Sequence, residues 1–510
     1  MRKRMIAVPL AAALVITQVP QPASAVDEIN TKKLRDAVTV SGILGHERVL
    51  QRIATQNGGT RASGTPGFAA SAAYVTSVLK KAGYKVTEQK FTFPFYRELA
   101  PAQLAQVSPT PTTYETVTYD YSASGDVTGR VVPALNNVLP PTPTPSSTAG
   151  CTPADFAPAS ATAPEVALIQ RGGCDFAVKA ANAAAAGYDA AIIFNEGQPG
   201  RTDLFTGTLG GPGTIPVVGL SFADGSALAA QAAAGTVTVR VQTSTEVNAA
   251  AQTSNIIADS REGDPDKVLV VGAHLDSVVE GPGINDNGSG TAQNLEIAVQ
   301  MAKLKIKPRQ KVRFAFWGAE EAGLLGSEHY VANLSDAELT TIFANLNFDM
   351  VGSPNYVRFV YDGDGSDTGT SGPYGSDQIE GLFNKYFADQ GLATDPTAFD
   401  GRSDYGPFIL AGIPAGGLFS GAEGVKTPEQ AAVYGGTAGA PYDACYHEAC
   451  DDINNLNPKA LAELGDAAAH AVLTLARTKT GFYPDGSLRA AARKAAATKQ
   501  LPYKGGHLVR

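Results

Sequence analysis

The fold is decided by residues 268–298, VLVVGAHLDSVVEGPGINDNGSGTAQNLEIA, in which an apolar strand, a glycine-rich loop and a helix follow one another. The continuous apolar run is typical of a strand that is buried on both faces of a parallel sheet. His274 and Asp276 come at the carboxyl end of this strand, and Asp286 follows in the loop, where glycine and asparagine let the backbone bend sharply. Together they indicate the first half of a metal site.

The composition limits the fold and the partners. The chain has 510 residues, with 54 glycines and 32 prolines, which predicts a loop-rich α/β protein of two domains with processed ends. The net charge of -9 and the scarcity of basic clusters argue against nucleic acid or an anionic membrane as a partner.

Residues 1–25 have the features of a secretory signal peptide. They begin with the basic sequence RKR, continue with a short apolar core interrupted by Pro9, and end with the small-residue cleavage sequence ASA. The core is too short for a retained membrane anchor, so we predict an exported, extracellular protein.

Four cysteines in an exported chain predict two disulfides, for which three connectivities exist. Cys151 is a sequence neighbour of Cys174, and Cys445 of Cys450. We therefore predict the pairs Cys151–Cys174 and Cys445–Cys450 rather than four free thiols.

The composition changes twice along the chain, which predicts one domain inserted into another. Thr65 and Pro66 are typical of a helix start, and Gly83 of its end, before an alternating strand at residues 86–95. Proline, threonine, serine and alanine then dominate from about residue 99. The pattern of the first domain resumes with SNIIA at residues 254–258. The predicted segments are a signal peptide (1–25), a discontinuous outer domain (26–113 and 243–478), an inserted domain (114–242) and a basic, flexible tail that is open to processing (479–510).

Three later motifs add candidate ligands. The adjacent Glu320 and Glu321 follow a strand predicted at residues 312–316, Asp349 lies at the end of a strand predicted at residues 346–350, and a histidine lies between Cys445 and Cys450. In open α/β sheets, ligands collect beyond the carboxyl ends of the strands. The candidate metal ligands are therefore His274, Asp286, Glu321, Asp349 and His447.

Two histidines and three carboxylates suit two zinc ions if one carboxylate is shared, because a single catalytic zinc takes three protein ligands and a water. Asp286 is the candidate bridge. Two zinc ions would hold a hydroxide and polarise a carbonyl oxygen. Glu320, next to a ligand, is the candidate general base, and Asp276 the candidate acceptor for the second ring nitrogen of His274.

These residues also have purely structural alternatives. Glu320 and Glu321 alone would be typical of a solvated helix start, where the helix dipole favours acidic groups. Tyr446 alone would be a packing aromatic. Phe419 could form the wall of an apolar specificity pocket or simply fill the core.

Five motifs in order resemble the secreted bacterial two-zinc aminopeptidases: AHLDS, GINDNGSG, WGAEEAGLLGS, NFDMVGS and CYHEACD. This family also includes glutamate carboxypeptidase and, with its ligands lost, the transferrin receptor. The resemblance implies the zinc exopeptidase fold, which is α/β with a mixed, mostly parallel central sheet and helices on both faces.

The same resemblance implies a role for each site residue. The implied zinc sites are His274, Asp286 and Asp349 for one ion, and Asp286, Glu321 and His447 for the other. It implies Tyr446 as a hydrogen-bond donor to the oxyanion and Arg402 as a residue that helps hold the free amino end of the substrate. Some secreted relatives also carry calcium, but its carboxylates have no clear match in this sequence.

Residues 166–195, VALIQRGGCDFAVKAANAAAAGYDAAIIFN, resemble the protease-associated (PA) domain, a β-rich module that is often inserted into peptidases. This stretch contains no obvious catalytic set. The resemblance favours a structural lid or spacer as much as a role in substrate binding.

We therefore predict a secreted zinc aminopeptidase, a monomer that hydrolyses the N-terminal bond of peptides and proteins and prefers large apolar N-terminal residues. Glu320 and Asp349 could neutralise the ammonium group of the substrate, which favours the amino end over the carboxyl end. The alternatives are a carboxypeptidase or dipeptidase on the same site, and a receptor-like binding protein without catalysis. The full set of five candidate ligands argues against the last.

Overall fold

The computed structural model describes residues 27–482. The predicted signal peptide and most of the predicted tail, residues 483–510, lie outside the described part. Within it, the helices are α1 Lys32–Arg35, α2 Val40–Gln56, α3 Pro66–Ala82, α4 Phe176–Ala185, α5 Phe222–Ala234, α6 Gly290–Lys303, α7 Leu325–Ala332, α8 Asp336–Thr341, α9 Ser376–Asp389, α10 Tyr405–Leu410, α11 Pro428–Tyr434 and α12 Pro458–Arg477. Of the helices in residues 27–482, none combines the length and the apolar character needed to cross a membrane.

The strands belong to one mixed sheet. They are β1 Lys85–Ser108, β2 Thr112–Tyr114, β3 Val117–Thr118, β4 Gly125–Pro133, β5 Glu165–Gln170, β6 Ala190–Phe194, β7 Val217–Leu220, β8 Thr238–Asp259, β9 Asp264–His274, β10 Gln310–Trp317, β11 Ile342–Phe348, β12 Phe359–Tyr361, β13 Asp395–Thr397 and β14 Ala415–Phe419. Over the described residues, the sheet has the order β13-β12-β14-β11-β9-β10-β8-β4-β5-β6-β7-β3, with β1 paired to β8 and β2 to β1.

Two blocks of parallel strands account for most of the sheet. Strands β14, β11, β9 and β10 form one block, and β4, β5, β6 and β7 form the other. Antiparallel pairs join β10 to β8 and β8 to β4. The predicted fold class, a mixed and mostly parallel sheet with helices on both faces, is confirmed.

Strand β9 shows why the apolar run at its centre is continuous. Leu269 and Val271 face a core that includes residues of α6 and α12. Val268 and Val270 face the opposite side, where Tyr330 and neighbouring residues of α7 and α10 cover them. All four β9 side chains are buried because helices cover both faces of the sheet.

Helix α3 begins and ends at the residues that the sequence predicts. The Thr65 hydroxyl accepts a hydrogen bond from the Phe68 N–H at 3.4 Å, and Pro66 is the first helical residue. Gly83 ends the helix with a φ of 94°, a left-handed conformation that glycine adopts without steric cost. Capping therefore sets both ends of this helix.

The ribbon of β1 and β8 joins the two parts of the molecule. The strands pair antiparallel from Lys85 and Asp259 at one end to Ser108 and Thr238 at the other. Strand β8 also pairs antiparallel with β10 and with β4, so it connects the two parallel blocks. The predicted boundary between residues 242 and 243 thus lies inside a continuous strand.

The packed part of the chain extends into the predicted tail. Phe482 is buried, its ring centroid lies 6.1 Å from that of Phe343, and its carbonyl oxygen accepts a hydrogen bond from Gln378 at 2.7 Å. Residues 479–482 therefore belong to the folded unit rather than to a flexible tail.

Both expected disulfides are present. Cys151 and Cys174 have Cα atoms 5.6 Å apart, and Cys445 and Cys450 have Cα atoms 5.3 Å apart. The first pair lies in the inserted region and the second encloses the loop that carries His447.

We expect Leu269→Ala to lower the free energy of unfolding by about 2–5 kcal/mol, because it leaves a cavity in a fully buried core. Denaturant unfolding can be followed by the fluorescence of Trp317, the only tryptophan of the chain. The matched control is Leu410→Ala, at a side chain that is 46% exposed, which should change stability by less than about 0.5 kcal/mol. Equal losses in the two variants would contradict this description of the core.

Candidate metal centre

The carboxyl ends of three adjacent parallel strands meet at one edge of the sheet. His274 is the last residue of β9 and pairs with Trp317, the last residue of β10. The loop after Trp317 carries Glu320 and Glu321. Strand β11 brings Asp349 to the same edge. The topology thus gathers four of the candidate residues before any side-chain contact is considered.

Strand β11 ends at Phe348, two residues before the end that the sequence pattern predicts. Met350 has a φ of 49°, which a strand cannot accommodate. Asp349 therefore lies just beyond the strand, and its side chain faces the site.

The glycine-rich loop between β9 and α6 holds Asp286 through its backbone. The N–H groups of Asn285 and Asp286 donate to the two carboxylate oxygens of Asp451, at 2.8 and 2.9 Å. At Gly290 a Cβ atom would lie 2.2 Å from the carbonyl oxygen of Phe348, so only glycine allows this approach. The loop is therefore clamped to two distant segments of the chain.

A buried arginine holds the other side of this loop. Arg61 is fully buried, and its guanidinium donates to the carbonyl oxygens of Leu275, Pro282 and Gly283. Burial lowers the pKa of Arg61, although the nearby Glu47 opposes that shift. Five guanidinium N–H groups in a fixed plane allow one side chain to fix both ends of the segment before Asp286.

Five candidate ligands come together around Asp286. The His274 Nε2 atom lies 3.1 Å from Asp286 Oδ1 and 3.3 Å from Asp349 Oδ1. The His447 Nε2 atom lies 3.3 Å from Asp286 Oδ2 and 3.1 Å from Glu321 Oε2. Asp286 thus presents one carboxylate oxygen to each histidine, and two triads share it.

The donor set of both triads fits a metal cation. Asp349 Oδ1 and Glu321 Oε1 are buried, and neither accepts a hydrogen bond within the described part of the chain. A buried carboxylate oxygen without a partner is costly, and a cation in each triad would satisfy it. One histidine with two carboxylates in each triad suits zinc.

Glu320 lies beside the triads, farther from the histidine. Its Oε2 atom is 3.9 Å from His274 Nε2, a longer distance than those of Asp286 and Asp349. Burial raises the pKa of Glu320 well above its usual range; His274 opposes the rise and Glu321 adds to it. A buried carboxylate of raised pKa suits proton transfer.

Asp276 lies against the second ring nitrogen of His274. The Nδ1 atom of His274 donates to the backbone carbonyl oxygen of Asp276 at 3.2 Å, whereas the nearest carboxylate oxygen is 3.7 Å away. That carboxylate accepts from the Glu320 N–H at 3.3 Å. Asp276 therefore contacts both His274 and Glu320.

Ser403 is a contact that the sequence does not indicate. Its hydroxyl donates to Asp349 Oδ2 at 2.6 Å and accepts from the Asn347 side chain at 2.8 Å. This bond orients Asp349 so that Oδ1 faces His274. A serine 54 positions away from its partner leaves no pattern that local sequence reasoning can read.

The loop that carries His447 is closed by the disulfide between Cys445 and Cys450. His447 has a φ of 59°, a left-handed conformation that is unfavourable for a residue with a Cβ atom. The Tyr446 ring stacks on the His447 ring with centroids 3.8 Å apart. Covalent closure and stacking together hold the histidine toward the site.

The five ligands, Glu320 and Tyr446 line a cavity of about 320 Å³. Phe419 also lines it, and its ring stacks on Phe359 with centroids 5.9 Å apart, so it serves as both wall and packing residue.

Arg402 lies at the same cavity. Its guanidinium donates to Glu423 Oε1 at 2.7 Å and to the Tyr446 hydroxyl oxygen at 3.2 Å. Its role at the free amino end of the substrate stays a prediction.

A second acidic group lies outside the cavity. Ligand atoms of Asp362, Asp364 and Glu380 lie within 4.8 Å of one another. However, Asp362 Oδ2 accepts from the Thr368 N–H at 2.7 Å, and Glu380 from the Gly363 N–H at 2.9 Å. In the described part of the chain, these bonds hold Asp362 and Glu380 in place beside Asp364.

Comparison with known proteins identifies the family of this chain. Residues 255–472 match the model of Peptidase family M28, and residues 127–228 match the PA domain. An aminopeptidase of Pseudomonas aeruginosa is 48% identical over 463 residues, which cover 89% of this chain and 84% of that protein. The chain belongs to Peptidase family M28. A second similar sequence, named probable leucine aminopeptidase 2 of Aspergillus fumigatus, is 44% identical over 378 residues, or 73% of this chain and 71% of the relative.

Solved structures resemble this M28 peptidase over most of its length. An aminopeptidase from Aneurinibacillus sp. strain AM-1 superposes with a TM-score of 0.67 at 27% identity, covering 88% of this chain and 96% of that one. A zinc aminopeptidase from Bacillus subtilis gives a TM-score of 0.60 at 27% identity, with coverages of 85% and 94%. The predicted family and the inserted PA domain are confirmed.

We expect the Cys445→Ser/Cys450→Ser variant of this M28 peptidase to bind less zinc per chain than the parent. Without the cross-link, the His447 loop gains conformational freedom that metal binding must then remove. Elemental analysis after dialysis measures the loss. The control variant, Cys151→Ser/Cys174→Ser, lacks the disulfide of the inserted region and should keep its zinc; a similar loss in both would show a general effect on folding.

Proposed function

We propose that this M28 peptidase releases N-terminal residues from peptides and proteins at a site that binds two zinc ions. It is a zinc-dependent aminopeptidase by its family and its relatives. The observation that carries the finer proposal is the sharing of Asp286 between two triads that each contain one histidine. Two ions with a common carboxylate use all five candidate ligands, whereas one ion would leave buried carboxylates without a partner.

Bound zinc would act as a Lewis acid on the scissile carbonyl and lower the pKa of a water molecule. Glu320 would accept a proton from the attacking water and return it to the nitrogen of the leaving amine as the C–N bond breaks. Burial raises the pKa of Glu320, which supports this role, because the carboxyl group must hold the proton between the two transfers. Tyr446 donates a hydrogen bond to the oxygen on which negative charge develops.

The charge of the cavity favours a free amino end. Glu320 and Asp349 line it and could neutralise the substrate ammonium. The apolar wall formed by Phe419 supports a preference for large apolar N-terminal residues, in line with the name of the leucine aminopeptidase relative.

We also propose that the protein is exported, as the signal-like residues 1–25 predict. The two disulfides support this, because such bonds persist in oxidising compartments. We assign residues 114–242 to the PA domain and residues 26–113 with 243–478 to the peptidase domain, and we expect a monomer.

We expect the purified protein to hydrolyse amino-acid p-nitroanilides, with leucine and phenylalanine derivatives faster than lysine and arginine derivatives. Removal of zinc with a chelator should abolish this activity, and added zinc should restore it. Release of p-nitroaniline measures both effects. Activity restricted to peptides with a blocked amino end and a free carboxylate would instead establish a carboxypeptidase, and a preference for lysine or arginine would refute the apolar pocket.

We expect Glu320→Gln to retain about two zinc ions per chain and to lower kcat by about 10²–10⁴-fold, because the variant lacks the proton acceptor but none of the ligands. Zinc analysis and steady-state kinetics on the same preparation separate the two effects. The matched control is Glu328→Gln on α7, a glutamate that does not line the cavity, which should leave kcat unchanged. Loss of zinc in Glu320→Gln would make Glu320 a ligand instead.

A further inference from the structure

Glu423 lies at the mouth of the cavity and takes no part in either triad. It follows Phe419 in GGLFSGAEG and lines the cavity together with Arg402 and Tyr446. Its side chain is 55% exposed, so it is not needed to complete the core. Any effect of Glu423 on the site is therefore expected to act through the side chain that it binds, Arg402.

Arg402 connects Glu423 to Tyr446. One guanidinium nitrogen, Nη1, donates to Glu423 Oε1 at 2.7 Å, and the other, Nη2, donates to the Tyr446 hydroxyl oxygen at 3.2 Å. Glu423, Arg402 and Tyr446 thus form a row of three hydrogen-bonded side chains. They come from separate segments of the chain, so the row exists only in the folded protein.

The direction of the second bond follows from chemistry. A guanidinium has only donors, so the phenol oxygen of Tyr446 must accept. The hydroxyl proton of Tyr446 is then free for another acceptor, and a positive donor on its oxygen makes that proton a stronger donor. The bond thus prepares Tyr446 to donate toward charge that develops in the cavity.

Glu423 restricts the conformations open to the Arg402 side chain. Without Glu423, the Arg402 guanidinium would keep only its 3.2 Å bond to Tyr446 among the side chains of the described residues, and it would be free to rotate away from the phenol oxygen. The Arg402 side chain is 38% exposed, and such a pair contributes little to stability. The pair matters for orientation. The guanidinium is planar, so a bond that fixes Nη1 on Glu423 also fixes the direction of Nη2 toward Tyr446.

We propose that Glu423 is a positioning residue that acts through Arg402 on the hydroxyl of Tyr446. The inference rests on the proposed function, in which Tyr446 stabilises the oxyanion. It assigns to Glu423 an effect on turnover rather than on substrate binding.

The test is a double-mutant cycle with Glu423→Ala and Tyr446→Phe, using leucine p-nitroanilide. Glu423→Ala should lower kcat by about three- to tenfold and change KM by less than about twofold. Tyr446→Phe should lower kcat by about 10²-fold, the usual cost of one lost oxyanion donor. In the Tyr446→Phe background, adding Glu423→Ala should produce no further loss, because its target is gone.

Glu429→Ala is the matched control. Glu429 is an exposed glutamate at the start of α11, outside the cavity, and its variant should keep the parent kcat. Zinc content should be the same in every variant, which separates this effect from metal loss.

Four results would overturn the inference. An equal loss from Glu423→Ala in both backgrounds would mean that Glu423 acts independently of Tyr446. A change in KM alone would make it a substrate-binding residue. A parent-like kcat in Glu423→Ala, beside a large loss in Tyr446→Phe, would remove the inference but leave the proposed function intact, whereas a parent-like Tyr446→Phe would remove the proposed role of Tyr446 as well.

Discussion

One carboxylate that faces two histidines is the contact on which the site depends. Asp286 lies between His274 and His447, and each of its oxygens is directed to a different ring. The surrounding buried carboxylates make the pocket strongly negative, and such a concentration of charge is stable only with cations or protons nearby. The negative charge of the pocket is therefore the property that favours the proposed binding of metal ions.

Holding that carboxylate requires contacts far from it. Asp451 accepts from the backbone N–H groups of Asn285 and Asp286, and Arg61 donates to carbonyl groups on the other side of the loop. Both partners are buried, where a charged hydrogen bond is strong and its loss is costly. A loop rich in glycine would otherwise be the least ordered part of the site, and these two side chains make it a fixed element.

The sheet supplies the frame for these contacts. Helices cover both faces of β9, so its position is set by packing rather than by the site itself. Its neighbours β10 and β11 run parallel to it, and their ends deliver the acidic residues to one edge. Strand β8 extends this sheet into the inserted region, which ties the PA domain to the peptidase core through backbone hydrogen bonds.

The row from Glu423 to Tyr446 illustrates a different kind of organisation. The ligands are fixed by buried contacts, whereas this row lies at the half-exposed mouth of the cavity. Exposed pairs add little to folding, so their arrangement is free to serve turnover. The ligands and this row are thus held by different kinds of contact around one cavity.

The sequence by itself determined the family, the parallel strands and the set of candidate ligands. Apolar runs, capping residues and ordered motifs are local, and the carboxyl-edge rule for open sheets converts their order into proximity. Only the tertiary structure decided which atoms meet: the carbonyl rather than the carboxylate of Asp276 for His274, Ser403 for Asp349, Arg61 for the glycine-rich loop, and Glu423 and Tyr446 for Arg402. Such contacts join residues far apart in the chain, and single polar residues carry no periodicity, so their partners are fixed by the packing of the whole fold.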